Sequence, residues 1–293
     1  MIVVFGSINL DIMVPVERMP APGETVLGGD CIMSPGGKGA NQAHAARLAG
    51  ADVELIGKVG GDAFAEPALA CLRAAGVDLG HVGRSASHPT GCATIWVDAE
   101  GGSTIVVSPG ANRELKASDL DDETLARAAL LLLQQEVPMD EMAEVAARAH
   151  RAGLRVVLNA APAMPVPDGL LACVDDLIVN EIELRQIAAS AGLGDASPAA
   201  LASRTGTRVV ATYGAQGLVH HHDGTELRLP AHAVEAVDTT AAGDTFVGVY
   251  CACLERGLAE ADSLSFANRA AALACTRRGA QASQPGWDEI AAG

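Results

Sequence analysis

Short continuous apolar runs alternate with helical stretches along most of the chain. Ile2–Phe5, Val53–Val59, residues 129–134, Arg155–Asn159, Asp176–Asn180 and Arg208–Thr212 have the length and composition of strands. Between them, residues 62–75, 138–152, 245–255 and 259–278 read as helices, and Gly76, Gly153 and Gly257 stand at three of their C-terminal ends. Strands alternating with helices predict a mostly parallel sheet with helices on both faces.

Two stretches break this rhythm. Residues 24–33 and 90–107 are extended and carry turn signals such as Glu100-Gly101-Gly102, but they lack the helix of a β-α-β unit. They predict a small antiparallel sheet standing off the main domain, the build of a lid, formed by segments of about residues 10–34 and 90–108. Directly after the first strand, Ser7, Asn9 and Asp11 alternate with Ile8, Leu10 and Ile12, so the polar three share one face. Ligands bind at the carboxyl ends of parallel strands, which makes Asn9 and Asp11 candidates for holding a polyol; a solvated strand face is the plainer alternative.

Composition fits a globular α/β protein. The 293 residues are 49% apolar and only 3% aromatic, with 32 glycines, which suits close packing of helices on a sheet in a single domain spanning residues 1–293. Asp and Glu (36) outnumber Lys and Arg (20), and the formal charge of −16 argues against nucleic acid or an anionic membrane as partner. An anionic substrate would then need local donors and a metal ion. Seven scattered cysteines without a Cys-x-x-Cys pair read as reduced, buried thiols of a cytoplasmic protein. The apolar N-terminus is short and has no basic leader, so it reads as a first strand, and no apolar run approaches the ~20 residues of a membrane helix.

Two glycine-bearing segments carry candidate chemistry. In the first, Asp238-Thr239-Thr240-Ala241-Ala242-Gly243-Asp244 forms a tight loop opening a helix, with Asp238 at the end of a preceding strand. Helix N-termini present unpaired N–H groups and a positive dipole end, so Ala241, Ala242 and Gly243 would seat an anion. Asp244 at its rim is placed to take a proton from an attacking hydroxyl; the alternative is an acid favoured there by the helix dipole alone. The second segment, Ser34-Pro35-Gly36-Gly37-Lys38-Gly39-Ala40-Asn41-Gln42, brings backbone N–H groups, a cation and an amide to another helix start. Its spacing is not that of a Walker loop. His220 and His222 share a strand face beside the Asp223-Gly224 turn, which predicts a solvated hairpin end rather than a metal site.

With these segments in this order, the chain resembles the ribokinase family of sugar kinases (PfkB-type) over nearly its whole length. Gly36 to Gln42 and Asp238 to Phe246 are similar to the two family signatures. The resemblance implies a three-layer α/β/α domain with a β-sheet lid that also clasps a homodimer, and ATP-dependent phosphorylation of a pentose, D-ribose foremost, at its terminal hydroxyl. Another sugar, a nucleoside, or a non-catalytic sugar-binding role are the alternatives. By the same resemblance, Asn9, Asp11, Gly37, Lys38, Gly39, Asn41 and Glu136 hold the sugar, with a helix-capping role open for Glu136. Asn180, Thr212, Gly214, Gly217, Gly243 and Asn268 line the nucleotide. Glu183, in an Asn-x-x-Glu segment that a helix cap would also explain, helps hold Mg²⁺ through water. Asp238, Thr240, Ala274, Arg277, Gly279 and Ser283 are implied to bind an activating K⁺.

Overall fold

The fold grows outward from its first strand, whose four residues are all fully buried. A computed structural model describes residues 1–292. Its strands are β1 (Ile2–Phe5), β2 (Asn9–Pro15), β3 (Ile32–Gly36), β4 (Val53–Val59), β5 (Val82–Arg84), β6 (Gly91–Val97) and β7 (Ser103–Ser108). There follow β8 (Leu130–Gln134), β9 (Arg155–Asn159), β10 (Asp176–Asn180), β11 (Arg208–Thr212), β12 (Leu218–His222) and β13 (Thr225–Leu229). The helices are α1 (Lys38–Leu48), α2 (Ala65–Ala75), α3 (Asp122–Arg127), α4 (Met139–Arg151), α5 (Asp168–Leu171), α6 (Glu181–Ser190), α7 (Pro198–Thr205), α8 (Ala242–Glu255), α9 (Glu260–Cys275) and α10 (Trp287–Ala291).

The large sheet runs β13-β12-β11-β10-β9-β8-β1-β4-β5 and is parallel except where β12 and β13 return antiparallel at one edge. β8 shows why its strands are continuous apolar runs: Leu130 and Leu132 enter one core, Leu131 and Leu133 the other. Helices α1, α2, α8 and α9 cover the first face, and α4 to α7 the second. Where α8 crosses α1, a Cβ on Gly248 would lie 2.5 Å from the Gln42 carbonyl oxygen, so only glycine admits this close approach. Lower down α8, the Tyr250 hydroxyl donates to Asp176 (3.0 Å), which also pairs with Arg155 (2.5 Å), tying the helix to the starts of β9 and β10.

The four-stranded second sheet, β3-β2-β6-β7, differs from the expectation in its parts. Residues 9–15 form its β2, antiparallel to β3 but parallel to β6. Of residues 24–31, only Gly28 joins, through an isolated bridge to Val16. Pairing is consequently not wholly antiparallel. Helix α2 packs against β2 and β3, while Met33, Trp96, Ile105 and Val106 of this sheet are exposed.

Several local expectations need correction. The helix expected over 62–75 begins at Ala65, and that over 259–278 ends at Cys275. Asp238 follows a loop, not a strand. All seven cysteines are free, but only Cys251 and Cys253 are buried; Cys31, just before β3, is exposed. The Asp223-Gly224 hairpin forms with positive φ at both residues (47° and 73°), yet His220 is buried, its Nε2 3.6 Å from Glu260 on α9. Among the described residues, no helix is long and apolar enough to cross a membrane.

Candidate active site

Two helix N-termini meet at the carboxyl edge of the large sheet. At α1 the chain turns through Gly37 (φ 88°). Its first N–H groups are taken by protein acceptors: Lys38 N–H by the Glu136 carboxylate (3.0 Å), Gly39 N–H by the Ser7 hydroxyl (3.2 Å) and Ala40 N–H by the Ser7 carbonyl (2.9 Å). The Ser7 hydroxyl in turn donates to Glu136 (2.6 Å). The backbone donors of the Lys38 loop are thus largely spent, contrary to the expectation that they converge on a ligand. Gly39 is glycine because a Cβ there would meet the Gly6 and Ser7 backbone at 2.6 Å.

At α8 the arrangement is open. Ala241 caps the helix in the left-handed region (φ 56°), and the first intrahelical bond is Thr245 N–H to the Ala241 carbonyl (2.8 Å). Ala242 N–H reaches the Thr239 carbonyl at 3.3 Å, while the N–H groups of Gly243 and Asp244 precede the helical ladder and line a cleft. Asp244 is the third residue of the helix and is buried. Its Oδ2 accepts from Asn41 Nδ2 (3.0 Å) and its Oδ1 from Gln42 Nε2 (2.9 Å).

These amides are themselves held. Gln42 Nε2 also donates to Asn159 Oδ1 (2.9 Å), and Asn41 Oδ1 accepts from Gln281 Nε2 (3.2 Å). Asn9 is oriented similarly, its Oδ1 accepting from Asn112 Nδ2 (2.8 Å). Ser7, Gln42, Asn112, Asn159 and Gln281 were not among the sequence candidates; Gln42, inside the glycine-lysine segment, and Ser7, on the polar face with Asn9 and Asp11, carried a signal that could have found them.

Charge is concentrated around Lys38. Asp244 foremost, with Glu136, Glu183 and Asp11, raises the Lys38 pKa against the cost of its burial. Burial pushes the Asp11 carboxyl up to about 7, with Glu136 and Asp244 adding repulsion and Lys38 opposing. Asp11 Oδ1 is buried without a partner among the described residues, so this carboxyl faces the site with acceptor capacity to spare.

The cleft has two connected parts that share Thr212, Thr239, Gly243 and Phe246. The wider, of about 400 Å³, is mainly apolar, lined by Gly214, Gly217, Val234, Asn268 and Ala271. Asn268 Nδ2 donates to the Pro230 carbonyl (2.7 Å), which fixes its amide at the wall. The narrower, of about 240 Å³, is polar and bounded by Lys38, Asn180, Glu183 and Asp244. All six expected nucleotide residues line this cleft. Asn180 and Glu183 also form the helix cap of α6, each bonding the other's backbone, and burial pushes the Glu183 pKa up. A buried carboxylate in a polar cleft suits a nearby hard cation.

The residues of the expected K⁺ group lie on two segments that meet beside α8. Asp238 accepts from Thr240 N–H (2.9 Å), Thr240 Oγ1 (2.6 Å) and Gly279 N–H (2.9 Å), joining the loop before α8 to the C-terminal segment. The Ala274 carbonyl accepts from Arg277 N–H (3.1 Å), and the Ser283 hydroxyl donates to the Ala280 carbonyl (2.9 Å). The Arg277 side chain turns outward to Glu289.

Comparison with known proteins agrees with this geometry. The model of the pfkB family carbohydrate kinases matches residues 1–287. The chain is 35% identical to a ribokinase of Lactococcus lactis, covering 99% of this chain and 95% of that one. Among solved structures it is similar to a ribokinase of Thermotoga maritima (TM-score 0.93, 33% identity, 99% and 98% coverage). A ribokinase of Arabidopsis thaliana complexed with ribose and ATP aligns with TM-score 0.91 and 30% identity, covering 99% and 97%. Two signatures at the helix starts, one shared cleft and full-length similarity lead to one conclusion: the chain belongs to the pfkB family of carbohydrate kinases.

Proposed function

We propose that the protein transfers the γ-phosphoryl group of ATP to the terminal 5-hydroxyl of a pentose, D-ribose, yielding ribose 5-phosphate and ADP. The observation that carries this is the position of Asp244: a carboxylate held by two amides where free helix N–H groups, Lys38 and the polar end of the cleft meet. The ribose complex of the Arabidopsis relative supports the acceptor.

In this reading the purine lies in the wide apolar part of the cleft beside Asn268, and the phosphates run into the narrow part. Asn9, Asp11, Asn41 and Glu136 hold the sugar hydroxyls. The 5-oxygen forms a bond to the γ-phosphorus as the bond to the β-phosphate bridging oxygen breaks, and the hydroxyl proton passes to Asp244. The Gly243 and Asp244 N–H groups with Lys38 meet the charge that develops on the phosphoryl oxygens. Asn180 and Glu183 would hold Mg²⁺ through water, and the ion would neutralise phosphate charge. The small sheet closes over the sugar and excludes water, and its exposed Met33, Trp96, Ile105 and Val106 clasp a second copy. Asp238 and Thr240 would hold K⁺, which would order the loop that leads into α8.

A coupled ADP-release assay with Mg-ATP and K⁺ tests this. D-ribose should give the highest kcat/KM against deoxyribose, fructose, 2-keto-3-deoxygluconate and adenosine. A different best acceptor would refute the sugar assignment, and no turnover with any of them would refute the kinase.

A further inference from the structure

Asp244 is reached by a relay that starts two strands away. Asn159 stands at the carboxyl end of β9, where its Nδ2 donates to the Ile178 carbonyl (3.2 Å) on β10. That bond turns Asn159 Oδ1 toward α1, and Gln42 Nε2 meets it at 2.9 Å. The second proton on the same nitrogen goes to Asp244 Oδ1 at 2.9 Å. The opposite setting of the Gln42 amide would place its oxygen against two acceptors, Asn159 Oδ1 and Asp244 Oδ1, so only one orientation is stable. Gln42 is fully buried and Asn159 is 8% exposed, so water competes little for these bonds.

The Gly248 crossing brings α1 close enough for this short bridge. Asn41 secures the other carboxylate oxygen, so a base fixed only through Asn41 could still swing about that single contact. We propose that Gln42 is a positioning residue for the base Asp244, and that Asn159 acts through it by locking its amide. The inference rests on Asp244 acting as base in the proposed reaction. Its chemical content is an amide clamp: a neutral donor fixes which carboxylate lone pairs face the attacking hydroxyl, without adding charge to a site that already holds Lys38 on α1, Glu183 on α6, Asp11 on β2 and Glu136 after β8.

The test is a double-mutant cycle of Gln42→Met, which keeps length and volume, and Asn159→Leu. Gln42→Met should lower kcat roughly 10-fold to 100-fold with the KM of ribose little changed. It should also move the acid limb of the kcat–pH profile upward, because a hydrogen bond to the charged carboxylate is gone. Asn159→Leu should do the same to a smaller degree, and the double variant should be no worse than Gln42→Met alone. Circular dichroism and calorimetric ribose binding check that each variant is folded; Asn159→Thr, which suits a strand end but is too short to reach Gln42, replaces a leucine variant that does not fold. Additive losses, an unshifted acid limb or a change confined to KM would overturn the relay while leaving the kinase intact. A wild type without sugar-dependent ADP release would overturn both.

Discussion

Helices α1 and α8 both enter the site through glycine-containing turns, and both begin with a residue at positive φ, Gly37 and Ala241. At α1 the first N–H groups are spent on Glu136 and Ser7, and the glycine at position 39 is dictated by backbone contact. At α8 nothing lies within 4 Å of where a Gly243 Cβ would stand, and the donors ahead of the ladder border the cleft. Similar sequence signals therefore serve two ends. The α1 turn is a fixture that aims Lys38, Asn41 and Gln42, and the α8 turn is left open, where the proposed reaction seats the phosphoryl group.

The comparison breaks most sharply at the base. Asp244→Asn keeps the shape of the α8 turn, but it sets an NH₂ group against one of the two amide donors and cannot take a proton, so kcat should fall by roughly 10²-fold to 10⁴-fold. Calorimetry should find ribose binding nearly intact. Turnover near the wild-type rate would remove Asp244 from its role and make the α8 turn no more than another fixture.

The next effect concerns Asp11, on β2 of the small sheet. Its folded carboxyl is pushed up to about 7 from an ordinary 3.8, so the folded chain keeps a proton that the unfolded chain releases. This contribution to stability is full at low pH and fades as pH rises from about 4 to about 7. Asp11→Asn should remove that part of the Tm–pH dependence, and Glu136→Gln should shift its upper end to lower pH by removing a repulsive neighbour. A curve unchanged in both variants would contradict the buried, crowded setting of this group. The smallest effect sharpens the α8 side alone: exchanging K⁺ for Na⁺ should lower turnover without altering Tm much, and equal rates in both salts would remove the cation from the account.

Much of this was legible in the sequence for a definite reason. Strands buried on both faces read as unbroken apolar runs, and the glycines after Ala75, Ala152 and Arg256 adopt the positive φ that ends their helices. The α8 loop and Asp244 were visible as a local motif. Asn9 and Asp11 were seen as site candidates, but the parallel pairing of β2 with β6 was not, because alternation does not say which neighbour a strand will pair with. The amides around the base were hidden for a different reason. Neutral side chains form no motif, and their partners lie far off: Gln42 is 117 residues from Asn159, and Asn41 is 240 from Gln281. His220 was misread because burial of a strand near the sheet edge depends on which helix covers it, here α9.

The contrast between the two turns is tested most directly by adding one methyl group to each. Thermal unfolding and kcat/KM for ATP would be measured side by side for Gly39→Ala and Gly243→Ala. The account predicts that Gly39→Ala lowers Tm by roughly 2–10 °C through backbone overpacking. Gly243→Ala should leave Tm within about 2 °C of the wild type, since helix propensity favours alanine only slightly, while kcat/KM for ATP falls on the order of 10-fold as the methyl enters the phosphate path. A Gly243→Ala variant that handles ATP normally, or a Gly39→Ala variant that keeps its Tm and loses only ATP affinity, would contradict the assignment of the anion seat to α8.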